Sequence, residues 1–218
     1  MCHYHEESIR LLELLQDEID ADELVGETIF TLGGHSILIE SRDGLGKLLE
    51  EWLGSWATLK GVDIKEDIDG TSQEFPDFFV GRDNHYLEVK AFNRDASPAF
   101  DIANFDSYCE SVSHTPERLN ADYLIIGYRL NGTNLSICDV WLKKIYEISG
   151  SSTVNPIKIQ TKREQPYNLR PITWYSTRAI PAFGNEADFI DALYLTQEEY
   201  SPDKARINRN RFWKNVGR

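Results

Sequence analysis

The stretch that decides the fold covers residues 75–90 and reads FPDFFVGRDNHYLEVK. Two apolar runs flank a turn of composition Gly-Arg-Asp-Asn, which predicts a β-hairpin. If the hairpin closes about Arg82 and Asp83, the numbers of paired residues add up to 165, and Asp77 faces Glu88. Directly opposed residues of an antiparallel pair point to the same face, with Cβ atoms about 4.5–5.5 Å apart.

This register brings two negative charges together, which destabilises a hairpin unless something compensates. A divalent cation is the natural compensation. Strand alternation then places Lys90 on the same face as Glu88 and points Val89 into the core. Mg²⁺ prefers oxygen ligands and usually takes one or two carboxylates together with waters and substrate phosphate. A lysine beside a metal-bound water can orient that water or accept its proton.

The arrangement resembles the signature of the PD-(D/E)XK nuclease superfamily. Pro76-Asp77 is followed, eleven positions after the aspartate, by Glu88-Val89-Lys90. The resemblance implies that Asp77 and Glu88 are catalytic metal ligands, that the Val89 carbonyl can serve as an additional ligand, and that Lys90 positions or activates the water. The implied cofactor is Mg²⁺, with Mn²⁺ able to substitute. In the alternative interpretation, Asp77 caps the strand, and Glu88 and Lys90 form an exposed ion pair that contributes little.

A further catalytic acid is implied on the helix before the hairpin. Apolar residues at positions i, i+3, i+4, i+7 and i+8 predict an amphipathic helix from about Asp43 to Leu59. Glu50 and Glu51 flank its apolar stripe almost symmetrically, so periodicity does not choose between them. The segment 46–53 is similar to the superfamily's Gly-x-x-x-Glu spacing, which favours Glu50. The alternative is a solvated helix face.

Within the superfamily, the chain resembles type II restriction endonucleases in its size, its loop-rich second half and its lack of an ATPase or helicase motif. The segment 100–108, FDIANFDSY, is similar to the NgoBV and NlaIV group. These resemblances imply hydrolysis of double-stranded DNA at a palindromic site with unspecified central bases, and a cognate DNA methyltransferase as genetic partner. Because a two-fold protein reads a two-fold site, we expect a homodimer. The alternatives are a structure-specific repair or junction nuclease, or a non-catalytic DNA-binding protein of the same fold.

The charge distribution bears on the DNA partner. A net charge of -13 argues against nucleic acid, because phosphate binding needs Lys and Arg. However, residues 1–110 hold 8 basic and 25 acidic side chains, whereas residues 111–218 hold 15 basic and 11 acidic ones. Such asymmetry points to nucleic acid, although a solvated or phosphate-contacting tail is the alternative. The candidate DNA contacts are Asn104, Arg178, Asn208, Arg209, Asn210, Arg211 and Lys214.

The pattern of elements predicts an α/β protein with a restriction-endonuclease-like core, a central mixed β-sheet flanked by helices. The almost continuous apolar run 123–130 is typical of a strand covered on both faces. We expect a strand at 135–140, then a helix from Trp141 to about Ile148, and from Thr153 onward a loop-rich remainder with short strand-like pieces. One domain, 1–218, is predicted, with a catalytic core at about 40–150 and a loop-rich DNA-recognition part at about 151–218.

The sequence also bears on the compartment. No apolar run approaches the ~20 residues that span a bilayer. The N-terminus lacks the basic start and apolar stretch of a signal peptide. The three cysteines, Cys2, Cys109 and Cys138, are scattered and odd in number, which favours a reducing compartment over a disulfide framework. We therefore expect a cytoplasmic protein with no membrane partner.

Overall fold

Two amphipathic helices cover one face of the central sheet. The computed structural model describes residues 3–41, 44–66 and 75–217. Helix α1 (Glu6–Asp20) begins where the His5 ring accepts the backbone N–H of Glu7. Helix α2 (Leu45–Leu59) confirms the predicted amphipathic helix, and the expected start at Asp43 lies outside the described residues. The side chains that α2 buries most deeply recur mainly every four residues: Leu45, Leu49, Leu53, Gly54 and Ala57.

The central sheet has six strands and is mixed, as predicted. Their order is β1-β9-β8-β6-β5-β4. Strands β6 and β8 run parallel, and all other neighbours in this sheet are antiparallel. The strands are β1 (Val25–Glu27), β4 (Ile64–Glu66), β5 (Phe78–Val80), β6 (His85–Asn93), β8 (Asp122–Asn131) and β9 (Asn134–Lys143). A separate hairpin of β2 (Ile29–Leu32) and β3 (His35–Leu38) turns at Gly33-Gly34.

The hairpin of β5 and β6 has the predicted register. Phe78 pairs with Leu87, and Val80 pairs with His85, so paired numbers add up to 165. Helix α2 packs closely against this hairpin at Gly54, where a Cβ atom would lie 2.8 Å from the Phe78 ring. Glycine thus lets the helix approach β5, and the acidic residues one turn earlier on α2 come to the open end of the hairpin.

Strand β8 is buried on both faces, as its apolar sequence predicts. Its partner β9 is longer than expected, and the predicted helix from Trp141 is wrong over its first half. Trp141 and Leu142 pair with β8, and α4 covers only Ile145–Ile148. Pairing with a buried strand outweighs the helical periodicity of this segment, because the ladder satisfies its backbone groups and buries Leu142.

The expectation of loops from Thr153 onward is wrong for the last quarter of the chain. Helix α5 (Glu186–Tyr200) begins at Asn185, whose side chain accepts the N–H of Asp188, and α6 (Pro202–Asn215) begins at a proline. The buried residues of α5 cover slightly more than half of its circumference and include Thr196 and Gln197, so no purely apolar stripe marks this helix in the sequence. The remaining elements are β7 (Ala103–Asn104), α3 (Phe105–His114), a 3₁₀ helix (Pro116–Asn120), β10 (Ile159–Lys162) and β11 (Gln165–Leu169).

The described residues divide into two compact units. The first combines residues up to 97 with 122–143 and holds the six-stranded sheet, α1 and α2. The second combines 98–121 with 144–217 and holds α3 to α6 and a three-stranded sheet of order β10-β11-β7. That both units form one domain stays a prediction. Among the described residues, no helix has the length and apolar character needed to cross a membrane.

Candidate active site

Asp77 lies directly before β5 and is tied to the neighbouring strand. Its Oδ2 atom accepts a hydrogen bond from the backbone N–H of Val89 at 2.7 Å. Continuing the register of β5 and β6 by one residue sets Asp77 across from Glu88. The carboxylate is therefore held at the open end of the hairpin by the same backbone that carries the second acid.

Three consecutive residues of β6 alternate between the core and the site. Val89 is buried in the core beneath α2, as predicted. Glu88 and Lys90 share the opposite side, where Lys90 Nζ lies 2.7 Å from Glu88 Oε1. Their side chains are only 9% and 19% exposed, so this is not the exposed ion pair of the alternative interpretation.

Glu88 has one carboxylate oxygen that the surrounding protein leaves unsatisfied. Its Oε2 atom is buried and has no hydrogen-bond partner in the described part of the chain. Burial raises the pKa of Glu88 to about 7; Lys90 opposes this rise, and the charge of Asp77 reinforces it. Because an unpaired buried carboxylate oxygen is costly, this atom fits the role of a cation ligand.

Lys90 is charged in spite of its partial burial. Burial by itself lowers the pKa of its ammonium group, but Glu88, Asp77 and Glu50 together outweigh that effect and hold the pKa above its ordinary value. The ammonium group thus balances the negative charge of the three acids in the absence of a cation.

The packing of α2 separates Glu50 from Glu51. Glu50 is mostly buried, and it pairs with Lys47 on the same helix. Burial raises the pKa of Glu50; Lys47 opposes the rise, and Asp77 reinforces it, which puts Glu50 within the electrostatic reach of the site. Glu51 is exposed. Lys47 is not among the residues that the sequence singled out, although its spacing of three from Glu50 is the pattern of a helical ion pair.

The donors fit a small oxygen-seeking cation. No group of three or more His, Cys, Asp or Glu is arranged to hold a metal in residues 3–41, 44–66 and 75–217. Mg²⁺ does not require such a group, because it usually binds one or two carboxylates and keeps several waters. Asp77 and Glu88 provide that pair. The roles of the Val89 carbonyl and of Glu50 stay predictions.

The candidate DNA contacts all lie in the second unit, and several are engaged within it. Arg209 pairs with Asp191, and Arg211 lies 2.6 Å from His114 Nε2. Asn104 caps α3 by accepting the N–H of Ser107. The exposed members of the set are Asn104, Arg178, Asn210 and Lys214.

Asn208 needs a correction among these candidates. It is buried, and its side-chain amide donates to Gln197 Oε1 and lies within hydrogen-bond distance of Ser113 Oγ. An amide that stabilises the packing of α3, α5 and α6 in this way is not available to a base edge. The alternation of Asn and Arg in the sequence 208–211 does not show which of these side chains lie on the buried side of the helix.

Comparisons with known proteins match nearly the whole chain. The NgoBV restriction endonuclease family matches residues 6–216. The type II restriction enzyme NlaIV of Neisseria lactamica is 38% identical over 193 residues, which is 86% of this chain and 79% of that enzyme. The type II restriction enzyme NgoBV of Neisseria gonorrhoeae is 35% identical over 158 residues, 71% of this chain and 89% of that enzyme. The solved structure of the NlaIV restriction endonuclease superposes with a TM-score of 0.84 at 33% identity, covering 97% of this chain and 90% of that one.

Proposed function

The chain belongs to the NgoBV restriction endonuclease family, and from that premise we propose how it cuts DNA. It is a type II restriction endonuclease, an endodeoxyribonuclease that hydrolyses phosphodiester bonds at a specific sequence. Enzymes of this class act with a divalent metal. We propose that the metal is Mg²⁺, which Mn²⁺ can replace, and that Asp77, Glu88 and Lys90 form the catalytic site.

One observation carries this assignment. The buried, unsatisfied Oε2 atom of Glu88 lies across from Asp77, and Lys90 is bonded to the other oxygen of the same carboxylate. Such a pair of acids is poorly stable without a cation and becomes favourable with one. The two neighbouring carboxylates therefore destabilise the metal-free protein, and binding of a metal ion would remove this cost.

Each residue has a distinct part in the proposed mechanism. When bound, Mg²⁺ polarises the scissile phosphate and makes its water a better nucleophile. Asp77 and Glu88 hold the ion, with the Val89 carbonyl as a further oxygen and Glu50 as an outer acid. Lys90 orients the attacking water as an ammonium group, and it can accept the water's proton only if the bound cation lowers the pKa that the neighbouring acids raise. The new P–O bond then forms as the bond to the 3′ oxygen breaks, and that oxygen takes a proton from a solvent water, which leaves a 3′-hydroxyl and a 5′-phosphate.

The remaining parts of the proposal concern the oligomeric state, the partner methyltransferase and the cellular compartment. A homodimer reads a palindromic site with unspecified central bases, and a cognate DNA methyltransferase protects the same site. We place the enzyme in the cytoplasm. The thiols of Cys109 and Cys138 are both free, which suits a reducing compartment, whereas Cys2 lies outside the described residues.

The acids can be tested against a matched aspartate on the same hairpin. Asp77→Asn and Glu88→Gln should abolish cleavage in Mg²⁺, because each removes a charge that holds the ion. Asp83→Asn should cut at the wild-type rate, because Asp83 is exposed at the hairpin turn. DNA binding in Ca²⁺, measured by fluorescence anisotropy, should persist in all three variants.

The same assay distinguishes the two neighbouring glutamates of α2. Glu50→Gln should slow cleavage, whereas Glu51→Gln should not, because Glu50 interacts electrostatically with Asp77 and Lys90 and Glu51 is exposed to solvent. Wild-type cleavage by Asp77→Asn would contradict the site, and equal effects of the two glutamine variants would remove Glu50 from it.

A further inference from the structure

The β2–β3 hairpin, residues 29–38, is an exposed apolar arm. All eight of its strand residues are exposed. One face carries Ile29 and Leu38, which pair with each other, and the other carries Phe30, Leu32 and Ile37. Because an isolated two-stranded hairpin is marginally stable in water, an arm with large apolar groups on both faces needs a partner surface.

An apolar groove lies in the same unit, beside the base of the arm. We call it the α2 groove, and its volume is about 440 Å³. Leu48 of α2 is 53% exposed in it, and Trp52 and Trp56 stack along its wall. The other apolar side chains that line it include Leu24, Val25, Leu45, Leu49, Leu135 and Ile137. A groove with this lining favours an apolar occupant.

The charges around the arm and the groove exclude DNA as that occupant. Residues 23–41 contain three glutamates and no lysine or arginine. Glu18, Glu23 and Glu27 line the α2 groove. Since binding to phosphates needs Lys and Arg, this face of the first unit fits a protein partner.

The exposed area has the size that a stable dimer needs. Seven of the sixteen exposed large apolar side chains of the described residues lie between Val25 and Leu48. Full burial of one such side chain removes roughly 60–120 Å² of apolar surface from water. Their exposed fractions therefore correspond to roughly 250–500 Å² of apolar area, which brackets the roughly 450 Å² that is apolar on each side of a standard interface. A standard protein–protein interface buries about 800 Å² on each partner. Single scattered apolar residues do not form such a patch.

We propose that the arm of one copy of this chain docks in the α2 groove of a second copy, and that the second arm docks reciprocally. The exposed arm and the exposed groove lie in one chain, so a two-fold dimer covers both at once. This inference rests on the proposed homodimeric function and assigns its interface. The contact between copies is then confined to the arm and the α2 groove, and the basic residues after position 110 stay available to DNA.

The interface is tested by the mass of the protein in solution, which does not depend on cleavage. Leu48→Glu in the groove should shift the mass, measured by light scattering after size-exclusion chromatography, from twice that of one chain to that of one chain. Leu59→Glu is the matched control, because Leu59 lies on the same helix, is 84% exposed and does not line the groove. It should remain a dimer. Circular dichroism should be unchanged in both variants.

A charge pair tests the reciprocal seating. Leu32→Lys on the arm and Leu48→Glu in the groove should each give monomers. Their equimolar mixture should recover a dimer. In the mixed dimer, one contact joins a wild-type arm to a wild-type groove, and the other places the introduced lysine of one arm opposite the introduced glutamate of the partner groove. A monomeric wild type, a monomeric Leu59→Glu or a mixture that stays monomeric would overturn the proposal. A monomeric wild type that cuts DNA specifically would overturn the interface alone and leave the nuclease assignment in place.

Discussion

Lys90 is surrounded by negative charge, and its role can be separated into two parts. Its ammonium group contacts Glu88 and interacts with Asp77 and Glu50, so it balances charge in the metal-free protein. It also lies on the face where the attacking water would be. A charge-balancing lysine can be replaced by arginine, whereas a water-activating lysine cannot, because a guanidinium group is broad, planar and effectively never deprotonated.

We predict that Lys90→Arg and Lys90→Ala both lower the cleavage rate by at least about a hundredfold, the lower end for removing a general base. Single-turnover cleavage of a DNA duplex in Mg²⁺ measures the rate, and anisotropy in Ca²⁺ measures binding, which should change far less. Near-wild-type cleavage by Lys90→Arg would reduce Lys90 to an electrostatic role.

The raised pKa of Glu88 predicts a pH-dependent affinity for metal. The metal-free protein keeps a proton on Glu88 below about 7, and the metal must displace that proton. Affinity for Mg²⁺ should therefore fall about tenfold per pH unit below that value and level off above it. Calorimetric titration at pH values about one unit on either side of 7 should also detect proton release on the acid side only. Equal affinities at the two pH values would contradict a protonated Glu88.

The free energy of unfolding of the metal-free protein should change with pH in the opposite direction to the affinity for Mg²⁺. The pKa of Glu88 in the metal-free fold lies above its ordinary value of 4.5, so the folded state binds more protons than the unfolded chain between 4.5 and about 7. The stability that this proton contributes is present at the acid end of that interval and is lost as pH rises through about 7.

The hairpin of β5 and β6, which carries the candidate site, was predictable because its determinants are local. A turn composition, two apolar runs and strand alternation were sufficient to pair Asp77 with Glu88 and to place Lys90 beside it. The choice between Glu50 and Glu51 was not predictable from the helical pattern, because it depends on how α2 packs against β5 at Gly54 and Phe78. Such a contact between distant segments has no signature in helical periodicity.

The helices at the C-terminal end were not predicted, for a related reason. Helix α6 is strongly polar, and its buried side consists of Ala205, Asn208 and Phe212, a stripe too narrow and too polar to mark a helix. Because α6 buries Phe212, a truncation of this helix is a poor test of whether it binds DNA. Deleting its second half would remove core residues, so substitution of exposed cations is the better experiment.

We predict that Arg206→Gln together with Lys214→Gln weakens DNA binding and reduces its salt dependence. Both residues are exposed on α6. Removal of each phosphate-binding cation should lower the slope of log affinity against log salt by about 0.9, so the double variant should lower it by about 1.8. The control is Lys65→Gln, an exposed lysine of the acidic half, which should leave the slope unchanged. An unchanged slope in the α6 variant would show that its cations are only solvated.

Charge is divided along the chain in a way that suits a DNA enzyme of net charge -13. The acidic excess belongs to residues 1–110, and the later half is slightly basic. A protein that binds a polyanion with such a composition must keep most of its carboxylates away from the phosphates. The acids at the catalytic site are the exception, because a divalent cation would separate them from the phosphate that is cut.

One experiment tests both the restriction-enzyme function and its dependence on metal. Phage DNA is digested with Mg²⁺ and, in parallel, with EDTA, and the fragment ends are sequenced. We predict discrete fragments in Mg²⁺ and intact DNA in EDTA. All ends should carry 5′-phosphates and map to one palindromic sequence with unspecified central bases. A smear without a common sequence, intact DNA in Mg²⁺, or equal cutting in EDTA would contradict a metal-dependent, sequence-specific nuclease.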